Sequence, residues 1–228
     1  MTEKDQILGR IREALRVPAP VPGSHGGHEL AVTEAPSASN ARQWLPQVGK
    51  SFEERLALFR KNAAELKAEF HLVDNLADCC NLVRKMRDVE RWQRIGTHAG
   101  ELTGPVCAGL ELPICRTDQP YDVNALEKCD AGITECDALI AQTGSVLVTS
   151  RSAGGRALSV LPPHHVVVTR REQLLGDLQD GFELLKEKYG ASYPSFISFI
   201  TGPSRTGDIE RVLVLGAHGP KKLTILCF

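Results

Sequence analysis

The sequence lacks the features that mark several classes of protein. Its seven cysteines include no C-x-x-C pair and none of the short paired spacings that hold zinc or iron-sulfur clusters. No apolar run approaches the roughly 18 residues that span a bilayer, and 1–16 is charged throughout, unlike a signal peptide. The formal net charge is only -1, so no bulk field attracts nucleic acid or anionic lipid. We therefore expect a cytoplasmic chain with no cofactor or metal of its own, no membrane span and no nucleic-acid partner.

The chain does have enough apolar material for one large core. It contains 228 residues, of which 42% are hydrophobic, and a chain of this length buries roughly 70% of its unfolded surface. Most of 17–39 is rich in proline and glycine and poor in large apolar side chains, which is typical of a flexible linker. The sequence therefore predicts an N-terminal helix and linker over 1–40 and one α/β domain over 41–228.

Helical and strand patterns alternate along that domain. Ser51 and Glu54 form a capping box, and an apolar stripe with helical spacing runs from there to Phe70. Asp74 or Asn75 is expected to cap a third helix. A short helix is predicted over 123–128, and a longer one over about 172–188 with Leu174 and Phe182 among the residues facing inward.

Short apolar runs between these helices predict strands. The two runs of 137–150 meet at Thr143-Gly144, which predicts a hairpin or a strand with a sharp turn. Further strands are expected at 112–116, 166–169, 196–200, 212–215 and 223–228. Interleaved strands and helices favour an α/β sheet covered on both faces.

The strongest chemical signal is the segment FITGPSRTGDIE. Glycine lets the backbone approach a ligand closely, hydroxyl and amide groups donate hydrogen bonds, and a guanidinium grips a carboxylate or phosphate with two bonds. This chemistry suits a small anionic ligand, held by Gly202, Ser204, Arg205, Thr206 and Asp208. The alternative is an ordinary turn in which Arg205 pairs with an acidic neighbour.

Thr143, Gly144 and Ser145 form a second candidate binding cluster at the end of a predicted strand. They do not match the G-x-S-x-G pattern of a nucleophilic serine, so a binding or turn role is expected.

Two further polar segments are candidates. The two arginines Arg151 and Arg156 either clasp an anion or lie in solvent. His218 and Lys221, between two predicted strands, either face a ligand or belong to a plain turn.

Four ordered segments carry a resemblance to a known family. GITECDALIAQTGSVLVTS, ALSVLPPHHVVV, SFITGPSRTGDIE and LGAHGPKKLTILCF together resemble the LUD domain of the lactate-utilisation protein C family. The resemblance implies a Rossmann-like three-layer fold related to ribose-5-phosphate isomerase, glucosamine-phosphate deaminase and coenzyme A transferase, with ligands at the carboxyl ends of the strands. The family pattern has a glutamate before Thr-Gly-Ser, where this chain has Gln142; the change argues against acid-base chemistry there but not against binding.

The resemblance also implies a function. It points to the oxidation of L-lactate to pyruvate together with iron-sulfur partner proteins, with this chain as an accessory or anion-binding subunit. The alternative is a self-contained enzyme acting on a phosphorylated sugar, a folate or a coenzyme A thioester, although one fold hosts many chemistries. The sequence leaves open whether the chain is catalytic and whether it forms a homo-oligomer.

Overall fold

A computed structural model of the chain describes residues 47–206, 214–215 and 219–228. These residues belong to the second of the two units into which the chain divides, Pro46–Phe228. The predicted N-terminal helix and the boundary at residue 40 lie outside the described residues.

Twelve strands and five α-helices are described. The strands are β1 Glu69–Leu72, β2 Ile95–Thr97, β3 Ile114–Arg116, β4 Ala131–Thr134, β5 Ala138–Ile140, β6 Ser145–Thr149, β7 His164–Thr169, β8 Leu174–Leu175, β9 Ile197–Ile200, β10 Arg205–Thr206, β11 Val214–Leu215 and β12 Lys222–Cys227. The helices are α1 Phe52–Glu65, α2 Leu76–Glu90, α3 Thr103–Ala108, α4 Val123–Glu127 and α5 Leu178–Tyr189.

Six strands form a parallel sheet in the order β1-β12-β7-β4-β2-β3. A second sheet has the order β8-β5-β6-β9, in which β6 is antiparallel to both of its neighbours. Strands β10 and β11 form a separate antiparallel pair.

The parallel sheet is covered on both faces, as expected for an α/β protein. Successive side chains of a strand point to opposite faces, and in β7 Val167 packs in one core cluster with Phe59 of α1. Its neighbours Val166 and Val168 pack in another cluster with Val83 of α2. The second sheet contributes β5 and β6 side chains to the first cluster, and α5 packs on its other face. This is the Rossmann-like α/β architecture that the resemblance implies.

Local sequence signals explain most of the element boundaries. The Ser51 side chain accepts a hydrogen bond from the Glu54 N–H and Glu54 reciprocates, so the predicted capping box is confirmed. Asn75 caps α2, and the hairpin predicted around Thr143-Gly144 is confirmed as β5 and β6.

Two predicted helices are shorter than their apolar patterns suggest. Helix α1 ends at Glu65, and Phe70 lies in β1, where its side chain packs edge-on against Phe59. The helix predicted from residue 172 begins at Leu178, because Leu174 pairs with β5 as part of β8. Phe182 is 58% exposed, so its predicted inward orientation is wrong; it lies against Phe199 instead.

Among the described residues, no helix has the length and apolar character needed to cross a bilayer.

Candidate functional site

The parallel sheet has a topological switch point between β2 and β4. After β2 the chain turns to one side and forms β3, whereas after β4 it turns to the other side and eventually forms β7. Connections that leave neighbouring strands in opposite directions open a crevice at the carboxyl edge of the sheet. His98 follows β2 and Glu135 follows β4, so both lie at this edge.

Glu135 and His98 hold the two sides of the switch point together. A carboxylate oxygen of Glu135 accepts hydrogen bonds from the backbone N–H groups of Leu102 (2.7 Å) and Thr103 (3.2 Å) at the start of α3. The Glu135 N–H donates to Nε2 of His98 at 3.4 Å. Burial lowers the pKa of His98 although the Glu135 carboxylate opposes the change, so the imidazole is neutral and accepts this bond.

A crevice of about 420 Å³ opens beside Glu135. Three of its lining side chains are cationic: Arg151, Arg170 and Lys188. The remaining lining residues are Glu101, Leu102, Glu135, Cys136, Ser152, Gln173 and Tyr189. Ligand pockets commonly measure about 300–1,000 Å³, so the crevice is large enough for a small organic anion.

A buried carboxylate anchors one wall of this crevice. Oδ1 of Asp137 accepts hydrogen bonds from Nζ of Lys188 and from the hydroxyl of Tyr189, each 2.6 Å long. The Asp137 side chain is fully buried and that of Lys188 is 49% exposed. Burial opposes ionisation of Asp137, but its hydrogen bonds, led by the one from Lys188, outweigh burial and lower its pKa. Asp137 is therefore an anion at neutral pH that fixes both neighbours.

The two arginines of the crevice are held more loosely. The guanidinium of Arg151 lies over the ring of Tyr189 and donates a 3.0 Å hydrogen bond to the carbonyl of Ser192. Arg170 forms an ion pair with Glu101, whose side chain is 79% exposed. An ion pair with so exposed a partner contributes little stability, so an anionic ligand can replace Glu101 at Arg170.

The sequence-predicted Thr143-Gly144-Ser145 cluster is the turn between β5 and β6, and it packs against α1. Gly144 has φ +65°, and a Cβ there would lie 2.8 Å from the backbone nitrogen of Ala63. Nδ2 of Asn62 donates to the carbonyls of Ala141 and Gln142, both at 2.9 Å. The close approach that requires glycine here is therefore to a helix of the same chain.

The predicted loop after β9, which contains Gly202, meets the turn between β5 and β6 through hydroxyl groups. Oγ of Ser145 lies 2.8 Å from Oγ1 of Thr143 and 2.8 Å from Oγ1 of Thr201. Gly202, at φ +86°, would place a Cβ 2.7 Å from the carbonyl oxygen of Leu66. Both motif glycines thus contact the C-terminal end of α1.

The other predicted residues lie near the amino edge of the parallel sheet. The Ser204 N–H donates to the carbonyl of Pro220, two residues before β12 begins. Arg205 is exposed in β10. Lys221 lines a separate cleft of about 220 Å³ with Glu90 and His164, among others. Asp208 and His218 lie outside the described residues, and for Thr206 the structure describes the backbone only.

The described members of the predicted set therefore do not line the carboxyl-edge crevice, and their binding role stays a prediction. Of the sequence candidates, the crevice uses Arg151, whereas Arg156 donates instead to the carbonyl of Ser195. His98, Glu135 and Arg170 were missed. Each follows a short apolar strand directly, and that position is the signal that identifies a carboxyl-edge residue. Across the residues that the structure describes, no group of three or more His, Cys, Asp or Glu side chains is placed to hold a metal ion.

Comparison with known proteins gives consistent results for fold and family. Residues 122–227 match the family model of the LUD domain. A crystal structure of a DUF162 family protein from Deinococcus radiodurans superposes with a TM-score of 0.62, covering 78% of this chain and 99% of that one at 23% identity. That likeness supports the Rossmann-like α/β fold.

Curated relatives are similar over about half of the chain. A lactate utilization protein C from Deinococcus radiodurans is 32% identical over 129 residues, which are 53% of this chain and 60% of the relative. Proteins of the same name from Anoxybacillus flavithermus and Halalkalibacterium halodurans are 34% and 40% identical, and the matches cover 46% and 44% of those relatives. The matches thus span between about half and three fifths of each relative. Residues 122–227 are thus similar to the LUD domain family, and about half of the chain is similar to proteins named lactate utilization protein C.

Proposed function

We propose that this chain is a component of a cytoplasmic L-lactate utilisation system and that it binds a small carboxylate or phosphate anion in the carboxyl-edge crevice. The names of the curated relatives support a part in lactate utilisation. The observation that carries the second part is the convergence of Arg151, Arg170 and Lys188 on one crevice at the switch point of the sheet.

The charges of the crevice favour an anion. Its acidic lining residues are Glu101 and Glu135. Lys188 is already paired with the buried Asp137, so the cations open to a ligand are Arg151 and Arg170. Glu135 is already engaged by two backbone N–H groups at the start of α3, and the exposed Glu101 can swing into solvent. A ligand carboxylate would then meet the guanidinium of Arg170, which offers two parallel N–H donors.

The proposed role is that of an accessory subunit. Oxidising lactate to pyruvate removes two electrons, which need an acceptor. We propose that iron-sulfur partner proteins accept them, because the seven cysteines of this chain are free thiols without cluster spacing. Free thiols also agree with the reducing cytoplasm.

Growth on lactate tests the proposed function. Deleting the gene in its native cell should slow growth on L-lactate and leave growth on glucose unchanged. Reintroducing the wild-type gene should restore growth on L-lactate. A gene encoding Arg151→Gln with Arg170→Gln should restore growth poorly, whereas Arg91→Gln, a change at the exposed end of α2, should restore it fully. Normal growth of the deletion strain on L-lactate would contradict the proposal. Turnover of a phosphorylated sugar by the isolated protein would favour the self-contained enzyme.

A further inference from the structure

Two thiols outside the crevice lie side by side above Gly96. Cys115 in β3 is paired in register with Gly96 in β2, and residues paired across neighbouring strands present their side chains on the same face. Gly96 has no side chain, and the place where its Cβ would lie is 3.8 Å from Sγ of Cys129. The thiols of β3 and of the segment after α4 are therefore brought together over the same glycine.

Packing supports this juxtaposition. Cys129 is buried in a small apolar cluster with Leu126 and Leu158, and Cys115 packs against that cluster. Burial raises the pKa of the Cys129 thiol to about 12, and a hydrogen bond with Cys115 acts in the same direction.

The two thiols differ in their access to solvent. Cys129 is 2% exposed. Cys115 is half-buried and lines a surface groove of about 450 Å³ together with Arg94, Tyr121 and other residues. A reagent in the groove therefore reaches Cys115 first, and Cys129 is reached through Cys115.

We propose that Cys115 and Cys129 are a redox-active dithiol pair, which a small-molecule disulfide converts into an intramolecular disulfide. In the first step the Cys115 thiolate attacks one sulfur of the small disulfide; its S–S bond breaks, a mixed disulfide forms and one small thiolate leaves. In the second step the Cys129 thiolate attacks the Cys115 sulfur and displaces the other small thiolate. The protein loses two electrons and two protons, and both protons end on the two released small thiols.

The bond would change the groove. It closes a loop over residues 116–128, which contains α4 and the groove residues Gln119, Pro120 and Tyr121. The edge strand β3 would then be tied to the segment that precedes β4. Because the thiolate is the attacking species and the pKa of Cys129 is about 12, ring closure should be slow at pH 7 and should accelerate as the pH rises.

Mass mapping of the full chain tests the pair. The reduced protein is treated with oxidised glutathione at pH 8, remaining thiols are alkylated, and the protein is digested with trypsin. Cleavage gives the peptides 95–116 and 129–151, which carry Cys115 with Cys107 and Cys129 with Cys136. The expected product links these two peptides, lacks two hydrogen atoms and, on fragmentation, places the bond between Cys115 and Cys129. A stable glutathione adduct on Cys115 with Cys129 alkylated, or a bond at other cysteines, would overturn the proposal.

Three variants separate the steps. Cys129→Ser should trap glutathione on Cys115, and Cys115→Ser should leave Cys129 unmodified. Cys80→Ser changes another half-buried thiol, in α2, and should form the cross-link at the wild-type rate. Loss of the cross-link in Cys80→Ser, or its persistence in Cys115→Ser, would contradict the assignment.

Discussion

The hydroxyl of Tyr189 donates a 2.6 Å hydrogen bond to the buried carboxylate of Asp137. Tyr189 also supports the guanidinium of Arg151 on its ring face. One residue of α5 therefore joins the buried anion to a cation of the crevice, and the crevice wall depends on how firmly α5 is held.

Replacing Tyr189 by phenylalanine removes this hydrogen bond and keeps the ring. Asp137 retains Lys188, so we expect the free energy of unfolding to fall by about 1.5–3 kcal/mol, the usual range for a hydrogen bond to a charged group. Urea unfolding measures the change. Tyr193→Phe is the matched control because Tyr193 is 55% exposed, and it should leave stability unchanged. Equal stability of Tyr189→Phe and the wild type would show that the bond contributes nothing.

The turn glycine of the Thr-Gly-Ser motif offers a second prediction. Gly144→Ala should lower the free energy of unfolding by about 1–3 kcal/mol, because alanine is strained at φ +65° and its Cβ would press on the backbone of α1. The matched control is Gly104→Ala in α3. The Cβ that it adds has no neighbouring atom within 4 Å, so the substitution should leave stability unchanged or raise it. Chemical denaturation of both variants checks the pair. A Gly144→Ala protein as stable as the wild type would mean that α1 does not need this close approach.

Stability should decrease as the pH falls from 7 towards 5, and His165 contributes to the decrease. This side chain is fully buried, its Nε2 is 2.9 Å from Oγ1 of Thr134, and burial lowers its pKa to about 3. In the unfolded chain it takes up a proton near pH ~6.5. Between these values the unfolded state binds more protons, so this residue reduces stability by up to about 1.4 kcal/mol per pH unit on acidification.

His165→Gln isolates this contribution, since glutamine does not titrate. Unfolding free energies measured between pH 7 and pH 5 should decline less steeply in the variant, and its stability deficit against the wild type should shrink at low pH. Parallel pH profiles for the two proteins would argue against a buried, neutral His165.

The sequence predicted the elements whose signals are local. The capping box of Ser51 and Glu54, the Asn75 cap and the hairpin at Thr143-Gly144 each depend on a few adjacent residues. The strands β1, β2 and β4 were missed; each has only three or four residues, and none stands out from its neighbours as a separate apolar run. The pairing of β1 with β12 and of β2 with β4 is set by distant segments.

The candidate site was harder to predict for the same reason. Glycine and hydroxyl groups in a loop suit a ligand, yet Gly144 and Gly202 make the same close approach to α1. Only the three-dimensional structure shows that contact. Conversely, Lys188 belongs to no motif, and Arg170 is marked only by its position directly after β7. The two join Arg151 because the ends of β7, α5 and β6 lie together at the crevice.

The most direct test of the account is an NMR titration of the full-length, isotope-labelled protein with L-lactate, and separately with inorganic phosphate. We expect one of these anions to shift the amide signals of crevice residues such as Ser152 and Gln173, with an affinity that falls at high salt. Arg151→Gln with Arg170→Gln should weaken this binding at least about tenfold, equivalent to ~1.4 kcal/mol, and Arg91→Gln should not. Shifts confined to the surroundings of Arg205 and Lys221, or equal binding by the double variant, would contradict an anion site at the carboxyl edge.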